Sequence, residues 1–171
     1  VLALSQGSVR LLEVGPDLPP FEIRIDDLPT DVASAAGKSS IKDRSETGRL
    51  QGSEGQKVRM TQYARQVDTA IRPVLLAQPI PLILAATDPL GPIFRSVSSA
   101  TRLLPDGIAG NPEARSEGDL AAAARPILDA AYVRELAGLR ERFDLRASQG
   151  RTSLDVVDVA RAATFGAVDT V

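Results

Sequence analysis

Neither cysteine nor histidine occurs anywhere in the 171 residues. Without cysteine there is no disulfide framework and no thiolate metal site. Without histidine there is no Ser–His or Cys–His nucleophilic pair, no imidazole general base and no zinc site of the usual kind. Tryptophan is also missing and there are only two tyrosines, which leaves little for stacking against nucleobases. No apolar run approaches the length of a membrane span, and the opening residues lack a secretory leader pattern. A cytoplasmic protein with no cofactor and no bound metal is the expectation.

What is present is ordinary for a globular protein: 43% hydrophobic and 25% charged residues, enough for one domain with a real core. The formal net charge of −2 excludes a globally basic nucleic-acid binder. Charge is unevenly spread, however. Between Lys38 and Arg72 eight basic residues face four acidic ones, and the remainder is net negative. Such asymmetry can turn one surface toward phosphates, although a solvated loop and helix face has the same composition.

The first third reads as strands. Val1–Leu4 and Val9–Val14 flank the turn cluster Ser5-Gln6-Gly7-Ser8, as in a hairpin, and Phe21–Ile25 alternates like a half-buried strand. From Asp31 to Gly55 there is little periodicity and much Ser, Gly, Lys and Asp, which predicts a long functional loop. A helix is predicted from about Gln56 to Ala77, with Met60, Ala64, Val67, Ile71 and Val74 on its inner stripe. Gln62, Arg65, Thr69 and Arg72 fall opposite, and Pro73 should kink or shorten it. Leu82–Ala86 reads as a strand covered on both faces, followed by a short helix after Asp88-Pro89 and a brief strand at Ile108-Ala109.

Ser116-Glu117-Gly118-Asp119 has capping-box spacing and opens a helix to about Ala147, closed by Gly150. Pro126 should bend that helix, and its inward stripe is expected to be Leu120, Ala124, Ile127, Ala131, Tyr132, Leu136, Leu139 and Phe143. Thr152-Ser153-Leu154-Asp155 reads as a second box, leading to a last helix to Thr164 and a strand that begins at Ala167. The fold class expected is α/β with α+β character: a mixed sheet with an N-terminal hairpin, covered by helices. One unit is expected over 1–150, with 151–171 opening a following domain of a longer chain.

Several short motifs carry little. Ala36-Gly37-Lys38-Ser39 ends like a phosphate loop, but the required earlier glycine is Val32. Ser39-Ser40-Ile41-Lys42 has Ser-x-x-Lys spacing without its partner motifs. Asp26, Asp27 and Asp88 sit past strand ends, where the simpler roles are turn residues and, for Asp88, a helix cap.

Asp27-Leu28-Pro29, a loop, and then Val58-Arg59-Met60-Thr61-Gln62-Tyr63-Ala64-Arg65-Gln66-Val67 resemble the central domain of archaeo-eukaryotic class I peptide-chain release factors, shared by the rescue factor Pelota. Leu82–Ala86 with Thr87-Asp88 is similar to the family's next strand and turn. Asp158–Thr170 resembles the passage that opens its third domain. The likeness is strongest to the bacterial release-factor-like proteins. It implies a release-factor central-domain-like fold and a place in translation.

In the release factors the loop carries Gly-Gly-Gln, which positions water for peptidyl-tRNA hydrolysis. This chain has Gly52-Ser53-Glu54-Gly55-Gln56 instead, in a longer loop, so ester hydrolysis is not the leading expectation. The resemblance implies a ribosome- or tRNA-site-binding domain whose RNA contacts would be Lys38, Lys42, Arg49, Gly52, Gly55, Gln56, Lys57, Arg59, Arg65 and Arg72. Two alternatives stay open. One is a hydrolase that uses Gln56 with Gly55, and the other is a protein-interaction module that has lost RNA binding.

Overall fold

The structure is a computed structural model that describes residues 1–15, 18–39, 53–78 and 80–170. Its elements run β1 (Leu2–Leu4), β2 (Val9–Glu13), β3 (Phe21–Ile23), α1 (Val32–Ser39), α2 (Ser53–Ala77), β4 (Leu84–Ala86), α3 (Leu90–Val97), α4 (Glu117–Ala147) and α5 (Val156–Thr164). Two compact units divide the chain, residues 1–128 and 129–171.

In the first unit a four-stranded sheet has the order β3-β2-β1-β4. The β1–β2 and β2–β3 pairs are antiparallel, while β1 and β4 run parallel, with Leu2 opposite Leu84 and Leu4 opposite Ala86. The sheet is therefore mixed, and with five helices among the described residues the fold is α+β.

Strand periodicity explains why both faces are filled. Side chains alternate across a strand. Leu2, Leu4, Leu11, Leu82 and Leu84 enter one core with Met60, Tyr63, Ala64, Val67 and Ile71 of α2 and Leu90, Ile93 and Phe94 of α3. Ala3, Leu12, Ile83 and Ala85 enter a second core with Ile108 and the start of α4, through Leu120 and Ala124. The run Leu82–Ala86 is continuously apolar for this reason: its neighbouring residues serve different cores. Beyond β4, Leu103 and Ile108 make single parallel bridges to Leu82 and Ala85 rather than a full strand. Glycine is required at Gly107, where a Cβ would lie 2.6 Å from the Leu84 carbonyl oxygen.

Helix α2 matches its predicted stripe. Met60, Ala64, Val67 and Ile71 are buried, and Val74 packs partly against the same core. Pro73 does not end the helix, which continues to Ala77. The carbonyl it leaves unpaired belongs to Thr69, on the exposed face where water can reach it, and the packing of Val74 and Leu75 holds the last turn.

Three local expectations are corrected. The stretch from Asp31 is not loop throughout, because α1 occupies Val32–Ser39. Its start is a reciprocal cap: Ser34 N–H donates to Asp31 Oδ1 at 2.6 Å, and Asp31 N–H donates to Ser34 Oγ at 3.1 Å. Serine replaces the usual Glu or Gln of such a box, and alanines follow it. Asp88 does not cap α3; Pro89 holds that position, with no side-chain cap bond. The box read at Thr152–Asp155 resolves differently too, since Asp155 itself caps α5 by accepting from Val157 and Asp158 N–H.

The second unit holds the later part of α4 and α5. The Ser116–Asp119 box that opens α4 is present, with Ser116 Oγ donating to Asp119 at 2.7 Å and Asp119 N–H donating back at 3.1 Å. The Ser116 hydroxyl first, then the Ser116 backbone N–H, hold the Asp119 carboxyl below its ordinary range. Pro126 lies inside the helix without interrupting it. Gly150, at φ +67°, ends the C-terminal turn: Arg151 N–H reaches the Arg146 carbonyl and Gly150 N–H that of Ala147, a Schellman closure. The predicted inward stripe holds only at its start. Leu120 and Ala124 are buried, but Tyr132, Leu136 and Phe143 are exposed. Ala167–Thr170 forms no strand.

Candidate nucleic-acid interface

The hairpin turn Ser5–Ser8 is the point on which α1 and α2 converge. Ser5 Oγ closes the turn by accepting from Ser8 N–H at 2.9 Å. The Gln6 carbonyl accepts from Val32 N–H at 3.0 Å, which seats the first turn of α1. The Ser5 carbonyl accepts from the fully buried Tyr63 hydroxyl at 3.1 Å, which seats α2. Burial first, then the nearby carboxylates Asp31 and Glu113, push the Tyr63 phenol well above its ordinary range, so it stays a neutral donor. Gln66 completes the arrangement by donating from Nε2 to the Ala35 carbonyl at 3.1 Å, which joins α2 to α1.

Above this junction lies an open cleft of about 720 Å³, bordered by Gln6, Gly7, Asp31, Val32, Ala33, Gln56 and Arg59. Arg59 is tethered at its own helix, its Nε donating to the Gly55 carbonyl at 3.3 Å. Asp31, half-buried, borders the same cleft. The Ser34 backbone N–H, foremost among its hydrogen bonds, holds its carboxyl below the ordinary range. The cleft thus presents a cation, an anion and the Gln56 amide, a polar recess without an aromatic platform.

The predicted contact residues separate into groups. Lys42, Arg49 and Gly52 lie outside the described residues, and Lys38 falls in the last turn of α1. Gly55 and Gln56 belong to the first turns of α2, which begins three residues earlier than the sequence suggested, and Gly55 is buried there. Gln56, Lys57, Arg59 and Arg65 are exposed. Lys57 and Arg59, two positions apart, stand on opposite flanks, because each helical residue advances the side chain by roughly 100°. Arg65 lies between those flanks on the outer face.

Arg72 is different. Its guanidinium donates to Asp68 Oδ2 at 2.9 Å and to Ser99 Oγ at 3.0 Å. Asp68 is almost wholly buried and also accepts from Ser99 N–H at 2.8 Å, Ser99 Oγ at 2.8 Å and Ser98 Oγ at 3.1 Å. Burial acts to raise the Asp68 pKa, but these donors outweigh it and the carboxyl is held below its ordinary range. The cluster clamps α2 to the C-terminal end of α3, so Arg72 has a structural task.

Sequence reading missed Gln6 and Asp31 as neighbours of Gln56 and Arg59. The available signals were the turn cluster at Ser5–Ser8 and the Asp31–Ser34 cap. Among the described residues no group of three or more acidic side chains is placed to hold a metal ion, and no helix is long and apolar enough to cross a membrane.

No curated protein matches the chain. A family model does. It covers residues 1–134, which takes in the whole sheet, α1 to α3, the cleft and the start of α4, and by this match the chain belongs to the bacterial archaeo-eukaryotic release factor family 11.

Proposed function

We propose that this protein is a translation-associated domain that docks on the ribosome near a tRNA-binding site and does so without hydrolysing peptidyl-tRNA. Its family places it among release-factor relatives, which supports a role in translation. The observation that carries the docking reading is that Gln56, Lys57, Arg59 and Arg65 are all exposed, spread round the outer side of the N-terminal half of α2. Such side chains meet phosphates and position a protein without reading sequence, which suits ribosomal RNA. Lys38, Lys42, Arg49 and Gly52 are further proposed RNA contacts, on the sequence alone. Arg72, held by Asp68 and Ser99, would contribute little.

The non-hydrolytic part rests on backbone conformation. Gly55 and Gln56 are helical here, with Gly55 buried and its carbonyl bound by Arg59. A glutamine fixed in a helical turn lacks the freedom of one at a glycine-rich loop tip. One feature favours the hydrolytic alternative: Gln56 is exposed and borders a cleft with Asp31. The two readings separate on programmed ribosomes carrying peptidyl-tRNA. The docking reading expects co-sedimentation with ribosomes and no ester cleavage above background. Cleavage that disappears in Gln56→Ala while binding persists would establish the hydrolase instead.

A further inference from the structure

None of the described residues of the second unit is buried, although it carries a dense set of large apolar side chains. Tyr132, Val133, Val156 and Phe165 are exposed by 62%, 63%, 80% and 81%. Exposed apolar area on that scale marks an interaction surface.

The part with a definite shape is the groove between α4 and α5, about 980 Å³ in volume. That is at the upper end of the roughly 300–1,000 Å³ of small-ligand pockets, and the groove is open along its length. Leu139 and Phe143 of α4 and Val159 and Ala162 of α5 form an apolar floor. Its charged lining is basic on balance, with four arginines from α4 and the turn after it against Asp158 of α5 and Asp169. Arg142 and Arg146 lie on one side of the Leu139–Phe143 ridge and Arg140 on the other, by helical spacing, and Arg151 stands at the end. Arg146 is paired with Asp169 at 2.9 Å, while Arg140, Arg142 and Arg151 engage no carboxylate among the described residues.

We propose that this groove receives an amphipathic helix of a partner protein whose apolar side chains are flanked by aspartate or glutamate. Apolar residues at helical spacing would fill the floor, and carboxylates on both flanks would meet the arginines on either side of the Leu139–Phe143 ridge and Arg151. RNA fits less well, because a phosphate backbone would satisfy the walls and leave the apolar floor uncovered. A second copy of this chain fits less well too, since two grooves set face to face would bring the same arginines against each other. The inference is independent of the ribosome-docking reading, which concerns α2.

The test uses the whole chain and two fluorescent peptides of about twenty residues. One has leucines at helical spacing flanked by glutamates, and the other has lysines replacing the glutamates. The proposal expects saturable binding of the glutamate peptide, at least about tenfold tighter than the lysine peptide, weakening about tenfold or more in Arg142→Glu/Arg151→Glu. Phe143→Ala should weaken it while leaving the preference for glutamate intact. Circular dichroism confirms that each variant keeps its helices. Equal binding of the two peptides, or no saturable binding of the glutamate peptide, overturns the proposal. So does dimerisation of the free chain that Arg142→Glu strengthens by relieving repulsion, or binding of a single-stranded RNA that Arg142→Glu/Arg151→Glu abolishes.

Discussion

At the scale of single residues, Asp68 shows how a buried charge becomes structural. Four donor atoms converge on its carboxylate, and removing the charge leaves those donors facing an unsuitable partner. Asp68→Asn is expected to cost about 2 kcal/mol at neutral pH, because hydrogen bonds to a charged group are worth about 1.5–3 kcal/mol. The pH dependence follows from the lowered pKa. A depressed folded-state pKa contributes stability that is fully present above the unfolded value of about 3.9 and is lost as pH falls through the folded value. Urea melts between neutral pH and strong acid should show the gap between wild type and Asp68→Asn narrowing below that point. A constant gap would mean the charge is not what stabilises the clamp. Tyr63→Phe removes only the bond to the Ser5 carbonyl and should cost about 1 kcal/mol in the same melts, with the core otherwise kept.

Residue identity made the inner stripe of α2 legible, since one helix face meets one core. It did not reveal Arg72 as a clamp, because Ser99, which it bonds together with Asp68, lies 27 positions away and nothing local announces it. Spacing did suffice for Lys57 and Arg59, since the helix expected from about Gln56 already sets them on opposite flanks.

Among the elements, β1 and β2 were readable from the turn cluster between them, β3 from its alternation and β4 from the doubly covered run at Leu82–Ala86. Helix α1 was not. Its helix-forming alanines follow a cap built from Asp31 and Ser34, and the glycine and serines nearby mask the period. Its first backbone donor is satisfied only by the distant Gln6 carbonyl. Asp31→Ala is therefore expected to raise amide exchange selectively in residues 32–36 and to leave α2 protected. Uniform loss of protection across both helices would show that α1 and α2 open as one unit instead. The outward stripe of α4 was misassigned for a related reason. Apolar spacing says that a face wants cover and does not say where the cover comes from.

For the molecule as a whole, the mixed sheet between two cores supports a junction where the hairpin turn, α1 and α2 meet beneath the exposed head of α2. Its family gives the chain a place among release-factor relatives. The resemblance visible in the sequence rested on ordered, modest motifs at Asp27–Pro29, Val58–Val67, Leu82–Asp88 and Asp158–Thr170; of these, Val58–Val67 brings Tyr63 to the junction and Leu82–Ala86 serves its cores. The segment from Ser40 to Gly52, including Lys42 and Arg49, lies outside the described residues, so that part of the interface stands on sequence alone.

The most direct test of ribosome docking is co-sedimentation with bacterial ribosomes across a salt series, comparing wild type, Lys57→Glu/Arg59→Glu/Arg65→Glu and Arg72→Glu. Each phosphate contact contributes about −0.7 to −0.9 to the slope of log affinity against log salt. The account predicts steep salt dependence for wild type and a slope shallower by about 2–3 in the triple variant, with Arg72→Glu losing fold stability but keeping nearly the wild-type slope. Absence of binding at low salt, or a triple variant that binds like wild type, would contradict it.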